Sequence, residues 1–146
     1  MKKNPFSLSF GKEPVSLINR NVQSYEIIDT FEDENPAYQV CMITGVRGSG
    51  KTVMLTEINK TFRAEEDWIV IDLSPERDLL QSFAANLSNY PSLSEVFREA
   101  KINLSFLGLG VEIEGVSPIT DLNVAVTRML EKIKKKHKRV LVTIDE

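Results

Sequence analysis

The chain has little of what many functional classes require. Of its 146 residues, one is cysteine, one is histidine and one is tryptophan. A single cysteine excludes an internal disulfide. It also fits a reducing, cytoplasmic compartment. Cys41 lies in an apolar run, "YQVCMIT", so it reads as a small buried hydrophobe rather than a reactive thiol. The lone His137 argues against a histidine-based metal site or triad. Apolar runs fall far short of the roughly 20 residues that a membrane span needs. The opening "MKKNPFSLSFGKEP" has no apolar core of signal-peptide length. Positive charge is not in excess: 18 Lys and Arg face 21 Asp and Glu, a net charge of −3. Such a balance gives no broad attraction for phosphate backbones and disfavours direct nucleic-acid binding. Glycine is scarce, with seven in all, yet three of them fall within six residues, Gly45 to Gly50.

What is present is the composition of a globular domain, with 42% hydrophobic and 27% charged residues. The apolar positions alternate between two periods. Leu17, Ile18, Val22, Tyr25, Ile28 and Phe31 recur at three- and four-residue spacing, which predicts an amphipathic helix in a lead-in over 1–37. Pro36 disfavours helix at Asn35. Residues 38–44 are apolar at successive positions, as in a strand covered on both faces. A helix is expected over about 50–63, and "DWIVIDLS" reads as a second buried strand. "PERDLLQSFAANLSNY" reads as a helix with Ser74 as N-cap and Pro75 at its first position. "SLSEVFREAK" is a shorter helical stretch. The alternating, glycine-bearing stretch 102–116 predicts an inserted β-hairpin. A long helix follows, with Leu122, Val126, Met129, Leu130 and Ile133 as its buried stripe. "RVLVTIDE" is the third strand. Strands alternating with helices predict an α/β fold, a parallel sheet flanked by helices.

The clustered glycines belong to "GVRGSGKT", Gly45-Val46-Arg47-Gly48-Ser49-Gly50-Lys51-Thr52, which satisfies G-x-x-x-x-G-K-[ST] at every constrained position. Glycine lets the backbone curl so that successive N–H groups face one point, and it removes side chains that would block a phosphate. A helix opening there adds free N–H groups and the positive end of its dipole. The pattern arises by chance in fewer than roughly one chain in a hundred of this length. Gly45 to Val53 are therefore the candidate nucleotide-binding residues. Lys51 would meet the β- and γ-phosphates and Thr52 would ligate Mg²⁺. Arg47 and Ser49 are unconstrained by the pattern and read as solvated loop side chains.

The third strand ends in Asp145 and Glu146. An acid at the end of an apolar strand is the usual companion of such a loop, holding Mg²⁺ directly or through water. Adjacent strand residues point to different sides. Asp145 can therefore face a metal while Glu146 faces the water that attacks the γ-phosphate, as its general base.

With these two motifs the chain resembles the P-loop ATPases that carry an added catalytic glutamate, and among them the AAA+ ATPases. "GVRGSGKT" and "VLVTIDE" match their Walker A and Walker B motifs. The lead-in "FGKEPVSLINR" and the segment "VIDLSPERDLL" are similar to the archaeal and bacterial ATPases related to origin-recognition and signal-transduction NTPases. The resemblance implies a three-layer P-loop NTPase core over 38–146 that uses ATP and Mg²⁺. It makes Glu146 catalytic and Thr52 and Asp145 metal ligands, and it places Pro14, Leu17 and Ile18 near the adenine or in helix packing. Family members continue to a sensor strand and a helical lid. The resemblance thus implies an incomplete core, an N-terminal piece of a longer ATPase that ends at Walker B. It also implies that strand 38–44 lacks its neighbours, so self-association or strand rearrangement is expected, with weak hydrolysis by this segment.

Other expectations compete. The same loop serves a nucleotide-dependent switch or adaptor that hydrolyses slowly. A small-molecule kinase also carries it, but a glutamate directly after the metal aspartate disfavours that reading. "KIKKKHKR" reads as a solvated helix end whose charges suit the C-terminal dipole. The apolar residues at 102–116 suit either a protein partner or the core.

Overall fold

A computed structural model describes residues 21–110 and 112–146. The expectations placed on Pro14, Leu17 and Ile18 lie outside these residues. The described residues form five α-helices and a two-stranded parallel sheet, a mixed α/β architecture. The chain divides into two compact units, Met1–Lys60 and Thr61–Glu146.

In the first unit, α1 spans Asn21–Glu32. Its buried stripe is Ser24, Ile27 and Ile28, while Val22 and Tyr25 are exposed. The expected stripe is thus rotated: small Ser24 sits inward, and its hydroxyl donates to Glu57 Oε2 at 3.3 Å. Helix α2 spans Lys51–Arg63, its last three residues belonging to the second unit, and buries Met54, Ile58 and Phe62, four residues apart on one face. Residues 38–44 are not a strand, contrary to the alternation of elements read from the sequence. Val40 and Met42 are more than four-fifths exposed, and Cys41 is an exposed free thiol rather than a buried hydrophobe. A strand needs a neighbour to receive its N–H and C=O groups. Among the described residues the sheet holds two strands, and this run is in neither.

The second unit is built on β1, Trp68–Leu73, and β2, Arg139–Ile144, paired parallel in register from Trp68↔Arg139 to Leu73↔Ile144. Parallel pairing demands a crossover connection. It is supplied by α3 (Leu79–Ser88), α4 (Ser94–Glu99) and α5 (Leu122–Lys135). Ile69, Ile71 and Leu73 from one face of β1 join Leu87, Leu93, Phe97, Ala125, Met129 and Ile133 from the helices in a single core. On the other face Trp68 stacks tilted on Phe62, with ring centroids 4.4 Å apart, and the Arg139 guanidinium lies 4.3 Å from the Trp68 ring centroid. That face therefore closes with an aromatic pair and a cation–π contact.

Two local expectations are corrected. Helix α3 begins at Leu79, not at Pro75, and its N-cap is Asp78, whose carboxylate accepts from Gln81 N at 2.8 Å. A carboxylate at a helix N-terminus gains from both the free N–H groups and the dipole. Ser74 instead anchors a turn, its hydroxyl accepting from Glu76 N at 3.4 Å. The expected hairpin over 102–116 is not formed in the residues described there. That stretch carries a 3-10 turn, Ser105–Leu107, and places Gly108, Gly110 and Gly115 at positive φ. Repeated left-handed positions turn the chain too often for a ladder to form. Ile102 and Leu104 are buried in the core and Leu107 and Leu109 pack against it, while Phe106 is exposed. Asn103, also buried, tethers the loop: its amide donates to Val116 O at 2.8 Å and its Oδ1 accepts from Ser105 N at 3.0 Å.

The stripe of α5 is Ala125, Val126, Met129 and Ile133, with Leu130 on its exposed edge. Lys132, Lys134 and Lys135 occupy its last turn, as the dipole favours.

Candidate nucleotide-binding site

The glycine loop takes a definite shape. Ser49 N donates to Val46 O at 3.1 Å, closing a turn, and Met54 N donates to Gly50 O at 3.0 Å, making Gly50 the residue from which α2 springs. Gly48 has φ +81° and Gly50 φ +87°, both in the left-handed region. Open space surrounds both, so there the glycine answers to backbone conformation and not to crowding. At Gly45 a Cβ would stand 2.5 Å from Ser49 Oγ, a contact that rotation of the Ser49 side chain can relieve.

Lys51 folds back over the loop it follows. Its ammonium donates to Gly45 O at 2.9 Å and to Val46 O at 3.4 Å. A positive charge is thus held against the loop's own backbone at the start of a 13-residue helix. The first N–H groups of a helix have no intrahelical acceptor. Ser49 Oγ is buried and, among the described residues, has no hydrogen-bond partner. A curled backbone, helix N–H groups, an ammonium and an orphaned hydroxyl form a donor-rich set suited to an anion such as a phosphate chain. Val46 and Arg47 are exposed, while Ser49 is more deeply placed than a solvated loop residue. Thr52 is exposed in the first turn of α2 and Val53 is half-buried behind it.

Asp145 and Glu146 follow the last residue of β2, with Asp145 half-buried and Glu146 exposed. They belong to the second unit and the glycine loop to the first. The structure brings together Gly45, Val46, Ser49, Gly50 and Lys51. Among the described residues no group of three or more His, Cys, Asp or Glu side chains gathers into a metal site. The donors read for Mg²⁺, one hydroxyl and one carboxylate, are hard oxygens of the type that ion prefers.

No family model, curated protein or solved structure matches this chain. No helix among the described residues is long and apolar enough to cross a membrane.

One cluster escaped the sequence reading. Asp72 of β1 accepts from the Thr143 hydroxyl through Oδ1 and from the Arg63 guanidinium through Oδ2. Asp72 and Thr143 are register partners. The signal was a polar residue at the fifth position of each strand, "WIVIDL" and "RVLVTI", after an apolar run. Only the register, which sequence does not supply, makes them a pair.

Proposed function

We propose that the chain is the ATP-binding part of an AAA+-type ATPase, built on a P-loop NTPase core. The observation that carries this reading is the loop Gly45–Thr52: a donor-rich turn at the start of α2, with the Lys51 ammonium folded back onto its carbonyls and Ser49 Oγ unpartnered among the described residues. The pairing of β1 with β2 supports it, because the acid-tipped strand then lies in a parallel sheet. Ligands of parallel sheets bind outside the carboxyl ends of the strands, the end where Asp145 and Glu146 stand.

In this reading the loop N–H groups and Lys51 hold the β- and γ-phosphates. Thr52 and Asp145 hold Mg²⁺, which when bound neutralises charge on the phosphate oxygens. Glu146 takes a proton from water as the water oxygen bonds to the γ-phosphorus. The bond from that phosphorus to the bridging oxygen breaks, giving ADP and phosphate. Binding and hydrolysis therefore reside in separable residues. Glu146→Gln should retain ATP binding and lose phosphate release, measured with a phosphate sensor. Release undiminished in that variant overturns the role of Glu146. Tight binding without release in the unaltered chain favours a nucleotide-dependent switch.

A further inference from the structure

The parallel sheet of the second unit has two strands among the described residues, so each of them is an edge. The two edges are not alike. In β1 every residue but Asp72 is buried, so the surrounding chain covers it. In β2 Val142 is 40% exposed and Ile144 50%, while Arg139 and Val140 are half-buried. A strand with one neighbour turns a row of N–H and C=O groups outward, ready to pair with another strand. Proteins blunt such edges with lysine, proline, bulges or inward charges. From Val140 to Ile144, "VLVTI", β2 has none of these, and its register with β1 is unbroken. Four of those five residues are β-branched, which favours extension of a sheet.

The charges around this edge say what fits it. Lys138 and Arg139 stand at its start, and Asp145 and Glu146 follow its end. A parallel neighbour of the same sequence would set base beside base and acid beside acid. An antiparallel one brings the start of each strand to the end of the other. With Val142 opposite Val142 of a second copy, Val140 meets Ile144 and Leu141 meets Thr143. Lys138 and Arg139 then lie toward the acids that follow the other copy's β2. Opposite residues of an antiparallel pair share a face of the sheet, so Val140, Val142 and Ile144 of the two copies cover one another. The match is self-complementary, and a two-fold pairing of this kind closes at two copies.

We propose that the outer edge of β2 is a docking surface for a second copy of this chain, which adds its own β2 antiparallel about a two-fold axis at Val142 and makes a four-stranded sheet. The contact involves the second unit alone and stands apart from the nucleotide reading.

Sedimentation equilibrium of the full chain over a range of concentrations tests it, with Trp68 fluorescence as the check on folding. The unaltered chain should form a reversible dimer and nothing larger. Val142→Lys sets two ammonium groups opposite each other and should raise the dissociation constant about tenfold or more. Lys138→Glu should raise it about two- to tenfold, and adding Glu146→Lys should restore it. Cysteine placed in a Cys41→Ser background reads the register. Val142→Cys should cross-link two chains on mild oxidation, because opposite Cα atoms lie about 5 Å apart. Val140→Cys should not, because the two copies of that position lie about 13 Å apart along the strands. A chain that stays monomeric at the highest concentrations overturns the proposal, as does growth beyond a dimer. So does a dimer indifferent to Val142→Lys, or cross-linking at 140 in place of 142. If Val142→Lys fails to fold, the charge exchange and the cross-links decide.

Discussion

Replacing Asn103 by alanine tests whether residues 102–116 are a tethered loop that completes the core. The Asn103 side chain is 2% exposed and makes two hydrogen bonds, to Val116 O at 2.8 Å and from Ser105 N at 3.0 Å. Each neutral bond contributes about 1 kcal/mol net. The backbone groups left behind are half-buried, so water can recover part of the loss. The space vacated beside Ile102 and Leu104 adds a cavity cost. Together these give a loss of about 2 to 3 kcal/mol. Trp68 is the only tryptophan in the chain and is buried in the same compact unit, so its fluorescence reports on this unit. In a urea titration the midpoint should fall by about 1 to 2 M with an unchanged slope. Asn103→Asp keeps the acceptor for Ser105 N but loses the donor to Val116 O and buries a charge, so it should cost at least as much. On the strand of a solvent-facing hairpin, Asn103 would bear little energy. A change under about 0.5 kcal/mol for the alanine variant would refute the tether.

Three further outcomes follow from the same structure. Cys41 is exposed, so Ellman's reagent should titrate one thiol in the native chain without denaturant; strong protection would restore the buried strand over 38–44. Met129→Ala opens a cavity at a fully buried core position and should cost about 2 to 5 kcal/mol in the same urea titration. A cost under about 1 kcal/mol would contradict that placement. Gly48→Ala forces a side chain onto φ +81°, a strain of about 1 to 2 kcal/mol, and should weaken nucleotide affinity about five- to thirtyfold; unchanged affinity would mean that this conformation is not the one that binds.

The elements legible in the sequence were those whose pattern and environment agree. Helix α5 could be read because Val126, Met129 and Ile133 repeat at helical spacing and are all buried, Met129 and Ile133 within the central core. Strand β1 could be read because its residues are buried on both faces. The run 38–44 is just as apolar, yet burial of such a run depends on neighbours that its own residues cannot specify. The stretch 102–116 misled because its apolar spacing comes from a loop that buries Ile102, Asn103 and Leu104 in succession and leaves Phe106 exposed. Its glycines at positive φ were the better signal. At the candidate site, the loop was legible because glycine, lysine and threonine at fixed offsets have a local cause. Lys51 meets carbonyls only five and six residues away. The Arg63–Asp72–Thr143 cluster was not legible, because its central bond spans 71 residues and depends on the strand register.

The phosphate-binding role of Gly45–Thr52 is tested most directly by calorimetric titration of the chain with Mg²⁺–ATP, beside its Lys51→Ala variant. The unaltered chain should bind ATP saturably at one site. Loss of the ammonium should weaken binding by about ten- to a hundredfold, as expected for a charged hydrogen-bond donor. Equal affinity in the two chains, or no binding by the unaltered chain, would contradict it.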